Sequence, residues 1–124
     1  MQQTESTENY LERILMLKKE KGIARAVDIA NALGYTKASV SIALKRLQEN
    51  DLVTVDENHS LDLTPAGEAI ASEMYKRHYS LAKIFMKLGV SEKNAYADAC
   101  KIEHDLSSET YQALVDYFND CVCL

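Results

Sequence analysis

Cys100, Glu103 and His104 stand at i, i+3 and i+4 within the string Asp98-Ala99-Cys100-Lys101-Ile102-Glu103-His104. At 3.6 residues per turn, a helix through this stretch sends all three side chains out on one face. A thiol, a carboxylate and an imidazole converging on a small volume supply most of the coordination shell of a borderline divalent metal. His78, on an earlier helical stretch, is available to complete it. Each residue also has a plainer reading: cysteine as a small buried hydrophobe, glutamate as a solvated carboxylate, histidine as a packing or capping group. A thiolate with imidazoles and carboxylates suits Fe(II), Co(II), Ni(II) or Zn(II) better than Mn(II), and Fe(II) is the expected ion.

The elements that must position these residues are mostly helical. Ser6 and Thr7 can cap a first helix that buries Tyr10, Ile14 and Leu17 and ends near Lys21-Gly22. A second short helix is predicted over 26–33, stopped by Gly34 in a left-handed cap. Thr36 then caps a third, running to about Glu49 with Val40, Ala43, Leu44 and Leu47 inward. Leu52-Val53-Thr54-Val55 and Leu61-Asp62-Leu63 read as two strands joined by a polar turn that contains His59. Thr64-Pro65 opens a long fourth helix reaching Gly89, Ser91 opens a fifth holding the triplet, and Ser107 or Ser108 opens a sixth. The fold class expected is mainly α: an N-terminal winged helix-turn-helix over 1–71, then an all-helical metal-binding and dimerisation domain over 72–124. Tyr111, Leu114, Val115 and Phe118 on the last helix are either a dimer interface or intramolecular core.

The third helix is the candidate DNA reader. Thr36, Lys37, Ala38, Ser39, Ser41 and Ile42 are mostly small, which permits close approach to a major-groove floor. Lys45 and Arg46 follow at phosphate-contacting positions, the amides at the helix start offer another phosphate site, and Arg25 can grip a flanking phosphate. No Arg, Asn or Gln in the first turn and a half names a base. The chain's net charge of −5 runs against a dedicated nucleic-acid binder, yet Thr36 to Leu47 carries Lys37, Lys45 and Arg46 with no acid. A small positive stripe on an acidic body docks on phosphates with strong salt dependence.

A length of 124 residues and 47% hydrophobic content suit one compact unit or two small coupled ones, and a single proline favours long helices. No apolar run approaches membrane-spanning length and the polar start is unlike a signal peptide, so a cytoplasmic location and no membrane partner are expected. The three cysteines, two of them crowded as Cys121-Val122-Cys123, suit reduced thiols better than a disulfide, and neither of the last two is expected to ligate the metal.

Four stretches together resemble the diphtheria-toxin-repressor family of metal-dependent transcriptional repressors, which spans iron-dependent repressors and manganese transport regulators. They are Thr7-Glu8-Asn9-Tyr10-Leu11-Glu12, Leu63-Thr64-Pro65-Ala66-Gly67, Arg77-His78 and Ala99-Cys100-Lys101-Ile102-Glu103-His104. The resemblance covers nearly the whole chain in order and is to the short form without an extra C-terminal domain. It implies a homodimer on double-stranded operator DNA, with metal occupancy favouring the DNA-binding arrangement. Carried across, it makes His78, Cys100, Glu103 and His104 ligands, with Cys100 following the iron type and Glu12 matching a carboxylate ligand of the manganese type. Asn9 departs from the methionine or aspartate of the family, although an amide oxygen can ligate a hard cation weakly. Ala82 and Tyr96 occupy two ligand positions of the iron type's second site, so no second site of that kind is expected.

The resulting expectation is a regulator, not an enzyme. One ion bridges Glu12 and Asn9 of the DNA-reading part to His78, Cys100, Glu103 and His104, and couples their orientations. A hydrolytic enzyme with Glu103 as base is disfavoured because no glycine-rich or oxyanion-forming loop lies near the ligands in sequence. A winged-helix regulator of a small organic ligand, with the triplet structural, is the alternative.

Overall fold

The computed structural model describes residues 5–121, and the chain divides into two compact units, one ending at Glu73 and the other beginning at Met74. The boundary falls two residues beyond the Ala71 junction read from sequence. Cys123 lies outside the described residues. Among those described, no helix is long and apolar enough to cross a membrane.

In the first unit α1 (Glu5–Lys21), α2 (Ala26–Leu33) and α3 (Lys37–Glu49) are followed by β1 (Val53–Val55) and β2 (Leu61–Leu63). The 3.6-residue spacing of Tyr10, Leu11, Ile14 and Leu17 makes one buried stripe along α1. It packs with Ile29 and Ala30 of α2 and with Val40, Leu44 and Leu47 of α3 in a single apolar cluster. Gly34 ends α2 at φ 72, where its N–H donates to Ala30 O, a left-handed cap that an L side chain adopts at a cost. Two residues later Thr36 Oγ1 accepts from Ser39 N at 3.1 Å and starts α3.

The strands pair antiparallel with Val53 opposite Leu63, Thr54 opposite Asp62 and Val55 opposite Leu61. Leu61 N donates to Ala24 O at 2.7 Å, and Lys18 reaches both Leu61 O (3.3 Å) and the Asp62 carboxylate (3.2 Å), so α1 holds the base of this wing. At its tip, Asp56 Oδ1 accepts from Asn58 N and Ser60 N. The Ser60 bond leads in holding the Asp56 carboxyl below its usual range. His59 is exposed in this turn, with φ 61.

The long helix α4 (Pro65–Lys87) begins where the notched end of the wing turns back. Thr64 Oγ1 donates to Asp51 O at 2.6 Å and accepts from Gly67 N at 3.1 Å, capping α4 while tying it to the loop before β1. Gly67 sits directly on the Leu52 carbonyl, and a Cβ there would overlap it. In the second unit, α4 from Met74 onward joins α5 (Glu92–Ile102) and α6 (Ser108–Cys121). Leu81, Ala82, Ala95, Ala99 and Tyr111 form its core, with Leu114 and Val115 packed against them. Tyr111 thus belongs to the unit's own core, with Leu114 and Val115 partly buried against it.

Gly67→Ala should destabilise the first unit by about 1–3 kcal/mol, the cost of inserting a methylene where backbone cannot retreat. Urea denaturation followed by circular dichroism measures it. An unchanged midpoint would contradict the close approach.

Candidate metal centre and nucleic-acid interface

Within the second unit, His78 projects from α4, and Glu103 and His104 follow the end of α5. His78 Nδ1 lies 3.1 Å from Glu103 Oε2, and His104 Nε2 lies 3.2 Å from Glu103 Oε1, so each carboxylate oxygen faces one imidazole. Side-chain exposure is 12% for His78, 1% for His104 and 0% for Glu103. The His78 ring meets Tyr79 edge-on at 5.2 Å and lies tilted against Tyr96 at 5.5 Å, so aromatic carbon covers its flanks. Tyr96, read from sequence as an occupant of a ligand position, is thus a wall of this cluster.

The helix does not run through the whole triplet. It ends at Ile102, with Glu103 its C-cap (φ −58, ψ −29) and His104 in a turn closed by Asp105 N donating to Ile102 O at 3.0 Å. The physical reason is tertiary. Buried Arg77, one residue before His78, donates from Nη1 to Glu103 O (3.2 Å) and Leu106 O (2.9 Å), giving those carbonyls a partner outside the helix. Cys100, in the last turn of α5, is exposed. The structure thus brings His78, Glu103 and His104 together, with Cys100 exposed one turn earlier on α5. Of the α1 candidates, Glu12 is buried and Asn9 half-buried.

Two imidazoles and a carboxylate, each ring nitrogen within 3.2 Å of the carboxylate, make a nitrogen–oxygen donor set suited to a divalent transition-metal ion. The residues present fit such an ion, which supplies Lewis-acid charge to hold them in one arrangement.

In the first unit every candidate DNA contact is exposed: Arg25 ahead of α2, and Thr36, Lys37, Ala38, Ser39, Ser41, Ile42, Lys45 and Arg46 along α3. Ile42 is the extreme case, a large aliphatic side chain at 67% exposure. One hollow is lined by Ser6, Tyr10, Tyr35, Thr36 and Ser39 at the start of α3, hydroxyl-rich and suited to a phosphate oxygen. Burial, and then the neighbouring Tyr35, raise the Tyr10 phenol above its usual range, so it stays a neutral donor. A second groove places Ser41, Lys45 and Gln48 beside Val55 and His59 of the wing. Gln48 was not among the residues read as DNA contacts. Its position at i+7 from Ser41 and i+3 from Lys45 is the helical spacing that marks it.

Residues 2–61 match the family described as iron dependent repressor, N-terminal DNA binding domain. Residues 64–122 match the iron dependent repressor, metal binding and dimerisation domain. The chain is 38% identical over 120 residues to the HTH-type transcriptional regulator MntR of Geobacillus kaustophilus, covering 94% of this chain and 85% of that protein. To the MntR of Bacillus subtilis it is 36% identical over 120 residues, covering 94% and 84%. Among solved structures, IdeR of T. acidophilum superposes with a TM-score of 0.80 at 27% identity over 96% of this chain. The manganese regulator SloR superposes with a TM-score of 0.78 at 26% identity over 91%. The chain spans 55% and 53% of the length of those two solved chains.

Lys45→Ala should weaken duplex DNA binding about equally across sequences and lower the slope of log affinity against log salt by about 1. Ile42→Ala should leave that slope unchanged while altering sequence preference, since an aliphatic side chain contacts thymine methyls and no phosphate. Fluorescence anisotropy at several salt concentrations checks both, and equal salt slopes for Lys45→Ala and the parent would contradict the phosphate assignment.

Proposed function

The chain belongs to the iron-dependent repressor family of metal-dependent transcriptional regulators, and we propose that it represses metal-uptake genes by binding operator DNA as a metal-loaded homodimer. The observation that supports this most is the buried His78–Glu103–His104 cluster, a metal-ready donor set in a chain whose α3 also exposes Lys37, Lys45 and Arg46 along an acid-free stretch. The proposed ligands are His78, Cys100, Glu103 and His104, with Glu12 and Asn9 as the donors from α1. This set draws on the DNA-reading unit as well as the second one, which is what makes the ion a switch.

The ion need not touch DNA. It has only to favour the arrangement in which two recognition helices of a dimer meet successive major grooves, about 34 Å apart. Fe(II) is the proposed physiological ion because a Cys100 thiolate is a softer donor than carboxylate. Mn(II) is the second reading, favoured by the similarity to SloR, which is named a manganese regulator. Thiol, imidazole and carboxyl must all be deprotonated to ligate, so metal affinity falls toward acid pH.

The test is an anaerobic gel-shift titration with Fe(II), Mn(II) and Zn(II), on a duplex selected from a random-sequence pool, with a chelator control. A shifted band should appear with metal, vanish with chelator, and be absent in the Cys100→Ala, His104→Ala double variant. Cys100→Glu should move the preference toward Mn(II) by about tenfold or more, the scale of a ligand-shell change. A double variant that still binds DNA only when metal is added would sink the ligand assignment. DNA binding indifferent to metal in the parent protein would sink the functional reading.

A further inference from the structure

Arg77 is 7% exposed, and a buried guanidinium with no purpose beyond bulk is expensive to keep. Among its contacts are four partners from the end of α5 to the first turn of α6. Nη1 donates to Glu103 O at 3.2 Å and Leu106 O at 2.9 Å, and Nη2 donates to Ser108 Oγ at 3.2 Å. Its guanidinium carbon stands 4.9 Å from the centre of the Tyr111 ring. The four partners run from Glu103, the C-cap of α5, past the turn that bears His104, to the first turn of α6.

Three features make this more than packing. A cation at a helix C-terminus satisfies carbonyls that have no partner inside the helix, and it complements the negative end of the α5 dipole. The planar fork reaches several acceptors at once, which an ammonium group cannot. The Tyr111 hydroxyl, meanwhile, is buried with no hydrogen-bond partner among the described residues, so the ring's polar contribution here is its face toward Arg77. Because Arg77 and His78 are consecutive on α4, one stretch of helix fixes both the imidazole on one side of the Glu103 carboxylate and the clamp on the Glu103 backbone.

We propose that Arg77 is a positioning residue for the metal centre: it locks the α5–α6 turn so that Glu103 and His104 stand beside His78 before the ion arrives. The proposal rests on the metal reading given above. Outer-shell groups that orient ligands in this way typically govern metal affinity by 10–100-fold.

The experiment compares the full chain with its Arg77→Gln, Arg77→Lys and His104→Ala variants, by amide hydrogen exchange without metal and by Co(II) titration followed in the visible spectrum. In Arg77→Gln, exchange at the Asp105 and Tyr111 amides, bonded to Ile102 O and Ser107 O, should quicken about tenfold or more while α1–α3 amides stay as they were. Co(II) affinity should fall about 10–100-fold and the absorption band should shift. Arg77→Lys, which keeps the charge but not the fork, should fall between, and it decides by the same readouts if Arg77→Gln does not fold. His104→Ala should lose the Co(II) band and keep the protected amides, separating ligand from clamp. Folded Arg77 variants with unchanged Co(II) affinity and spectrum overturn the proposal. Co(II) affinity unchanged in His104→Ala overturns the metal reading, and the proposal with it.

Discussion

Glu103 has no exposed side-chain surface, and its two carboxylate oxygens each face an imidazole, His78 at 3.1 Å and His104 at 3.2 Å. Removing a carboxylate from water costs several kcal/mol unless positive charge or strong donors replace the solvent. Much of the second unit follows from meeting that demand. The histidines come from two different stretches of chain, the Tyr79 and Tyr96 rings cover His78, and the Leu81, Ala82, Ala95, Ala99 and Tyr111 core sets the helices that carry them. A divalent ion would answer the same demand with more charge than a shared proton, which is what supports the proposed metal centre over a structural ion pair.

The first unit is built by a different logic. Its core is built from α1, α2, α3, the wing and Ala71 at the start of α4, and the polar residues of α3 are left on its outer side. Short local devices fix the geometry: the Gly34 cap, the Thr36 hydroxyl on Ser39 N, and Thr64 linking Asp51 to the start of α4. They hold α3 and the wing so that Lys45 and Gln48 share a groove with Val55 and His59. That leaves Ile42 and the cations of α3 exposed, as the proposed reading of a duplex requires.

What was legible in the sequence was whatever local chemistry decides. The second helix could be bounded over 26–33 because Gly34 stops it, and the third and fourth could be started from Thr36 and Thr64-Pro65 because caps act within three residues. The His78–Glu103–His104 cluster was legible for the opposite reason: Glu103 and His104 are adjacent, and His78 stands in a motif with Arg77 that resembles a known family. What stayed hidden depends on partners far along the chain. Periodicity extended the fifth helix through His104, whereas Arg77, 26 and 29 residues away in sequence, takes the Glu103 and Leu106 carbonyls just past its end. The same periodicity put Cys100 on the ligand face, and its exposure there is set by packing rather than by spacing. Tyr111, Leu114 and Val115 offered an apolar stripe with two possible covers, and only packing shows that α4 and α5 provide it.

The central claim is that metal occupancy and DNA binding are one equilibrium, and linkage makes that claim measurable without knowing which genes are regulated. If metal tightens DNA, DNA must tighten metal by the same factor. Calorimetric titration of Mn(II) or anaerobic Fe(II) into the protein, with and without its selected duplex, measures this directly. The account predicts a metal affinity raised by DNA about 5–150-fold, matching the factor by which metal raises DNA affinity. A metal affinity that DNA leaves unchanged would contradict it.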